Sequence, residues 1–330
     1  MTQKGIGRTL QFGIAKETTR GTPNAAADFY IPFESLSFDE KYENALDEQS
    51  IGRIEDSTGQ TRSKIWVEGK ATLPIEDQSF PLVIYSALGS YTKTTNSDPS
   101  NTVFDHTFTV SQSAQHQALT YFLDDPLSGV DYKYGGGAID SLEIQYELKK
   151  FINYQINVMT KAGTVATLTP STTAQNRFLP QHVTFKTATA YNILSTGTVI
   201  ALKSLKLKIA KNIEADDILS STTPADFLNK QFTIEGTLEA LWQSEADFKT
   251  AALAGTTKAL SIDLTNADVT IGTSAHPVLQ IKLAKVVFTA LTRPLVLNDL
   301  VKQTVTFKAH YSTTDSLMVS VLATNTKSLY

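Results

Sequence analysis

The sequence predicts a mainly β chain of two tandem domains with one helix in each, and three observations predict it. Thr, Ser, Val, Ile, Tyr and Phe recur in short alternating runs, the pattern of strands with one buried and one solvated face. Around Gly163 to Pro180 the chain turns small, polar and proline-marked (AGTVATLTPSTTAQNRFLP), dividing it into residues 1–165, a linker 166–180 and residues 181–330. The same order of elements recurs on both sides of that linker.

In the first half SLSFDEKYENALDE (Ser35–Glu48) leads through a polar stretch to KIWVEGKATLPI (Lys64–Ile75) and then DQSFPLVIYSALG (Asp77–Gly89). In the second, SLKLKIAKNIEADD (Ser204–Asp217) leads to QFTIEGTLEAL (Gln231–Leu241) and SEADFKTAALAG (Ser244–Gly255). Matching Glu68-Gly69 to Glu235-Gly236 sets Val67 on Ile234, Ile65 on Phe232 and Ala71 on Leu238, so both halves bury the same alternate positions. A slip of one residue would invert every face. The alternative, that two β segments merely share generic patterns, leaves that agreement of order and parity unexplained.

Phe80, Val83, Ile84, Ala87 and Leu88 fall at helical spacing, with Ser79 as N-cap, Pro81 in the first turn and Gly89 at the end. The counterpart starts at Ser244, with Asp247 three residues on in a capping-box spacing, and ends at Gly255. Each helix is followed by two long strands: Leu142–Leu148 and Phe151–Met159, then Val278–Leu291 and Gln303–Tyr311.

Composition narrows the function classes. Cysteine is absent, so there are no disulfides or thiolate metal sites, which fits assembly in a reducing cytoplasm. No signal-like apolar run opens the chain and no stretch reaches the ~20 apolar residues of a membrane span, so it reads as soluble. A net charge of −4 disfavours a protein that grips duplex DNA.

The chemistry of an enzyme is missing. His106, His116, His182, His276 and His310 show no metal-ligand spacing, and there is no nucleophile elbow or phosphate loop. Gly135, Gly136 and Gly137 precede a strand where a phosphate cradle needs a helix, so they read as a mobile loop. Asp124-Asp125, Asp216-Asp217 and Glu55-Asp56 read as solvated loop charges. No catalytic residue, metal or cofactor is expected. The acidic stretch from Glu34 to Asp56 lacks a calcium-loop pattern and reads as an exposed loop that docks on a partner subunit, where charge sets register.

GIAKETTRGTP (Gly13–Pro23), followed by FYIPFESLSFDEK (Phe29–Lys41), resembles the start of siphophage major tail tube proteins, with Arg20 departing from an expected aromatic residue. The strand, long loop, strand, helix and strand-pair order is similar to one tail tube domain, here present twice. The resemblance implies that each domain gives four strands to a barrel closed between subunits, with its helix outside and its long loop reaching the next ring. It also implies a duplicated, trimeric type: a homotrimeric, pseudo-hexameric ring stacked helically into a tube that conducts double-stranded DNA. Twenty-four strands give a backbone diameter of about 47 Å and a bore of roughly 37 Å, wide enough for a duplex, whereas sixteen leave about 22 Å.

On that plan the apolar faces with Val67, Ile144, Tyr154, Ile234 and Phe307 meet the helices. The polar partners line the lumen: Glu68, Lys70, Glu143, Gln145, Asn153, Asn157, Lys206, Lys208, Glu235, Glu239, Lys282, Thr304 and Lys308. The inter-ring loop residues are Glu43, Asp47, Glu48, Arg53, Glu55, Asp56, Arg62, Glu214, Asp216 and Asp217. Implied partners are further copies of the chain, a tape measure protein, tail terminator and tip proteins, and DNA in passage, with no membrane; the implied location is the virion tail, assembled in the host cytoplasm. Two alternatives stay open: the tube of a contractile injection or secretion machine, and a β-sandwich carbohydrate-binding module, which would display aromatics where Trp66 and Trp242 fall in or beside strands.

Overall fold

The computed structural model describes residues 6–126, 129–242, 248–295, 297 and 300–330. The first half contains β1 (Gln11–Lys16), β2 (Phe29–Ile31), β3 (Ser35–Asp47), β4 (Gly59–Pro74), α1 (Phe80–Leu88), β5 (Gly89–Thr95), β6 (Phe104–Val110), β7 (Leu119–Asp124), β8 (Asp131–Glu147), β9 (Asn153–Thr160) and β10 (Thr164–Ala166). The second contains β11 (Val183–Ala188), β12 (Thr198–Val199), β13 (Leu202–Ala210), β14 (Glu214–Asp216), β15 (Asp226–Leu228), β16 (Thr233–Leu241), α2 (Lys249–Ala254), β17 (Lys258–Thr265), β18 (Val278–Thr292), β19 (Lys302–His310) and β20 (Val319–Asn325).

The protein is mainly β, as the alternating runs predict. Its spine is an antiparallel sheet of eight strands in the order β3, β4, β9, β8, β13, β16, β19, β18. This is one four-strand pattern used twice and joined where β8 pairs with β13. The sheet is open: among the described residues, β3 pairs only with β4, and the end of β18 only with β19.

The pairing repeats outside the spine as well. β1 pairs with β2 and β7, and β11 with β12 and β17. The first part of β8 lies between β7 and β10, and the first part of β18 between β17 and β20. Both long strands then enter the spine through an irregularity at the same place, between Ile139 and Ser141 and between Phe288 and Ala290. Among the described residues the β5–β6 hairpin has no counterpart; it extends the second half's outer sheet by pairing with β20.

Burial follows the predicted parity. Val67, Ala71, Ile234 and Leu238 are buried to 1% exposure or less, and Glu68, Lys70 and Glu235 between them face out. Phe80 of α1 meets Tyr154 of β9 with ring centroids 4.7 Å apart, and Phe248 before α2 meets Phe288 of β18 at 5.3 Å. Such pairs each add about 0.5–1.5 kcal/mol beyond area burial. Gly69 and Gly236 occupy matched positions for a matched reason: a Cβ on Gly69 would stand 2.7 Å from the Phe38 ring, and one on Gly236 would overlap the Phe307 ring. One apolar core runs through both halves.

Four sequence expectations are corrected. Ser79 does not cap α1: its backbone is already helical and its hydroxyl is 3.4 Å from Glu76. The acidic stretch from Glu34 to Asp56 is not a loop throughout: Ser35–Asp47 form β3, paired along its length with β4. Gly135 to Gly137 are a buried part of β8, where small residues admit Pro23 and Tyr121, and the left-handed Gly136 donates to Glu17 at 2.7 Å. Asp124 is buried at 8% exposure, and burial together with nearby Asp131 raises its carboxyl above the ordinary value.

Gly89 and Gly255 close their helices in the left-handed region as expected. The proposed helix start at Ser244 and Asp247 lies outside the described residues. The 166–180 segment is fastened at its end, with Phe178 buried, Arg177 on Glu76 at 3.2 Å and Asn176 on Asp77 at 2.8 Å.

Candidate functional site: a polar sheet face and its two edges

The face of the eight-stranded sheet turned away from the core gathers the polar residues of every second position. One row runs Ser35, Thr72, Gln155, Glu143, Lys208, Glu235, Lys308, each opposite the next in register. The next row runs Asn153, Gln145, Lys206, Thr237, Thr306. Glu239 stands opposite Thr304, Lys70 opposite Asn157, and Glu68 opposite Met159. Twelve of the thirteen proposed lining residues therefore share this face. Lys282 stands apart, between Ser261 and Ser320 in the outer sheet.

Charge alternates along the central row. Lys308 pairs with Glu235 at 2.9 Å, and Lys206 with Glu143 at 2.8 Å. Partial burial raises the Glu143 carboxyl, but hydrogen bonds from Lys206 and Gln145, with Lys208 nearby, outweigh it and hold the group below its ordinary value. The twelve residues carry four carboxylates and four ammonium groups, a net charge of zero. The exposed Lys308–Glu235 pair adds at most about 1 kcal/mol, so the alternation of charge matters more for the field than for folding.

The inter-ring candidates fall on two projections. β3 and β4 continue past the sheet as a two-stranded arm whose tip carries exposed Glu43, Asp47, Glu48, Arg53, Glu55, Asp56 and Arg62. Asp47 accepts from Thr58 at 2.8 Å, and Arg62 lies 4.2 Å from the Tyr42 ring. Ile51 and Ile54 are exposed between the charges. Glu214, Asp216 and Asp217 belong to the β14–β15 hairpin or its turn, with Glu214 on Lys230 at 2.9 Å. Lys64 at the root of the arm pairs with Asp217 at 2.5 Å, and the Ile65 amide donates to Thr222, so the two projections are tied together.

The opening phrase GIAKETTRGTP has a structural role. Glu17 is buried and accepts from Gly21, Gly136 and Thr120, and Arg20 spans to Asp226 at 2.6 Å and the Phe227 carbonyl at 2.7 Å. Trp66 and Trp242 are half-buried beneath cations, Lys64 at 5.1 Å and Arg293 at 4.7 Å. Among the described residues no three metal-ligating side chains cluster, and no helix is long and apolar enough to cross a membrane. His182 does have a carboxylate, Asp268, at 3.0 Å. Sequence reasoning singled out neither the pair Leu36 and Phe38 on the edge strand β3 nor the exposed Leu295 just past β18. Extending the repeat to the strand ends would have found them.

The comparisons with known proteins bear on this geometry. No curated protein matches the chain. The family model described as phage tail tube protein matches residues 7–309. Because that match takes in both four-strand units and the connections between them, the chain belongs to the phage tail tube protein family, a structural, self-assembling component of the virion tail.

Proposed function

We propose that the chain closes into rings of three, edge to edge, and that the rings stack helically into a siphophage tail tube that conducts double-stranded DNA during ejection. The carrying observation is the spine: two like four-strand units joined side by side, with an edge at each end that is unpaired among the described residues. An exposed edge of this length invites a strand from another chain, and three such sheets give twenty-four strands, the smallest comfortable barrel for a duplex. Duplication of one domain, with residues 1–165 and 181–330 as the copies, accounts for the recurring pairing and for pseudo-sixfold symmetry from three subunits.

In this arrangement the polar face is the lumen, with Lys282 outside it. Its balance of charge lets DNA slide, since a surplus of several basic contacts would hold the phosphates at low salt. The arm reaches the next ring. A tape measure protein would fill the bore before ejection, terminator and tip proteins would meet the two ends, and assembly would take place in the host cytoplasm.

Electron microscopy of the concentrated purified protein tests the reading. Rings or tubes with three subunits per turn are expected; a monomer at every concentration would overturn it.

A further inference from the structure

Two cavities occupy equivalent places in the two halves. One, of about 900 Å³, lies along the free edge of β3 and is lined by Leu10, Phe12, Phe33, Leu36 and Phe38. The other, of about 310 Å³, lies along β13 and is lined by Val183, Phe185, Leu202 and Leu205, with Tyr146 of β8 across from them. Register makes them counterparts. Phe12 stands opposite Leu123 as Phe185 stands opposite Ile262, and Phe38 opposite Gly69 as Leu207 stands opposite Gly236, which carries Leu36 onto Leu205.

Tyr146 distinguishes the two. It sits opposite Leu205, 6% exposed, and narrows the second cavity. Counting the same distance from the matched irregularities, Tyr146 is seven residues past Ile139 and Leu295 seven past Phe288. Leu295 is 73% exposed. The residues leading to it show the same contrast: Leu142 and Ile144 of β8 are fully buried, whereas their counterparts Leu291 and Arg293 are half-buried and exposed. The first half thus has a roomy, largely apolar cavity beside a strand edge that is unpaired among the described residues, and the second an exposed apolar side chain three residues past the end of β18.

We propose that Leu295 of one copy enters the β3-side cavity of the next, opposite Leu36, as Tyr146 enters opposite Leu205 within the chain. The end of β18 and the three residues that follow it then add antiparallel to β3, with Arg293 opposite Phe38 and Leu291 opposite Glu40. That register sets Glu40 diagonal to Arg293, within reach for long side chains of opposite charge. Pro294 falls opposite Ser37 and lowers the number of ladder bonds by at most one, which an edge strand tolerates. The proposal rests on the ring reading and names the contact that closes the ring.

Because the chain has no cysteine, the contact can be trapped selectively. Directly opposed residues have Cβ atoms about 4.5–5.5 Å apart, close enough for a disulfide after small adjustment. Leu36→Cys and Leu295→Cys chains, mixed under assembly conditions and oxidised, should give a covalent dimer about tenfold more abundant than a mixture of Leu36→Cys with Leu219→Cys. The double variant Leu36→Cys/Leu295→Cys should give covalent rings. Leu295→Asp should fold with an unchanged Tm, its side chain being exposed, yet fail to form rings.

Tubes from the mixture without a dimer above the control would overturn the contact and leave the tube reading intact. A dimer without tubes would support the contact and count against the tube. Absence of both would sink the two together.

Discussion

Lys211 is 2% exposed on the turn after β13, and its ammonium donates to the Ser86 carbonyl at 3.0 Å. Burial, reinforced by the Arg20 charge, pushes its pKa down from 10.5 to about 7. Between those values the unfolded chain binds more protons than the folded one, so the stability contributed by this group rises with pH across that window. Below pH 7 the full cost of a buried charge is present. Lys211→Met, which keeps the volume and removes the charge, should therefore raise Tm by about 2–4 °C at pH 6 and by less at pH 9. An equal gain at both pH values, in thermal melts, would show that the charge is not the cause. Nothing local in AKNIE marks this lysine as buried; Ser86 and Arg20 are far away in sequence.

Among the elements, the β3–β4 arm carries the clearest division of labour. Its root packs into the molecule through Lys64, Asp217 and the Ile65 amide, whereas the charged residues of its tip are exposed and Asp47, among the described residues, bonds only within the arm, as to Thr58. Reversing Asp47 and Glu48 to lysine should leave Tm within about 1 °C, as surface changes do, but prevent stacking while single rings still form. Sedimentation and negative-stain images would report this, and tubes of normal length from the variant would remove the docking role. The strands of the spine were legible because alternation continues along each of them. β8 was legible only in its second part: Gly135 to Gly137 look like a breaker, yet their lack of a side chain admits Pro23 and Tyr121. Ser79 misled for a related reason, since a Ser before an apolar run signals a cap only if the preceding residues are not already turning.

For the whole molecule, the neutral face predicts how DNA behaves in an assembled tube. Glu143→Gln, Glu235→Gln and Glu239→Gln in one chain remove three negative charges and leave the proposed bore with a net charge of +3 per subunit. Wild-type tubes should release DNA freely. Tubes of the triple variant should retain it at about 50 mM salt and lose it by about 200 mM, since each neutralised phosphate steepens the salt dependence. Retention measured by co-sedimentation that is the same for both proteins would argue that this face is not the channel wall.

By itself the sequence determined the β class, the repeated order of elements and the side of each spine strand that is buried. These follow from short-range periodicity: a side chain two residues along a strand points the same way wherever the strand ends up. It also placed twelve of the thirteen proposed lining residues on one face, because parity is inherited along each strand. Tertiary structure alone decided that β8 and β13 join the two units, that β5–β6 completes the other half's sheet, and that Lys282 lies outside the spine. Those outcomes depend on which strand lies beside which, a matter of packing between residues distant in the chain. The same cause left Leu295 exposed and its counterpart Tyr146 buried: their places in the repeat are alike, but among the described residues Tyr146 alone lies against a neighbouring strand, β13.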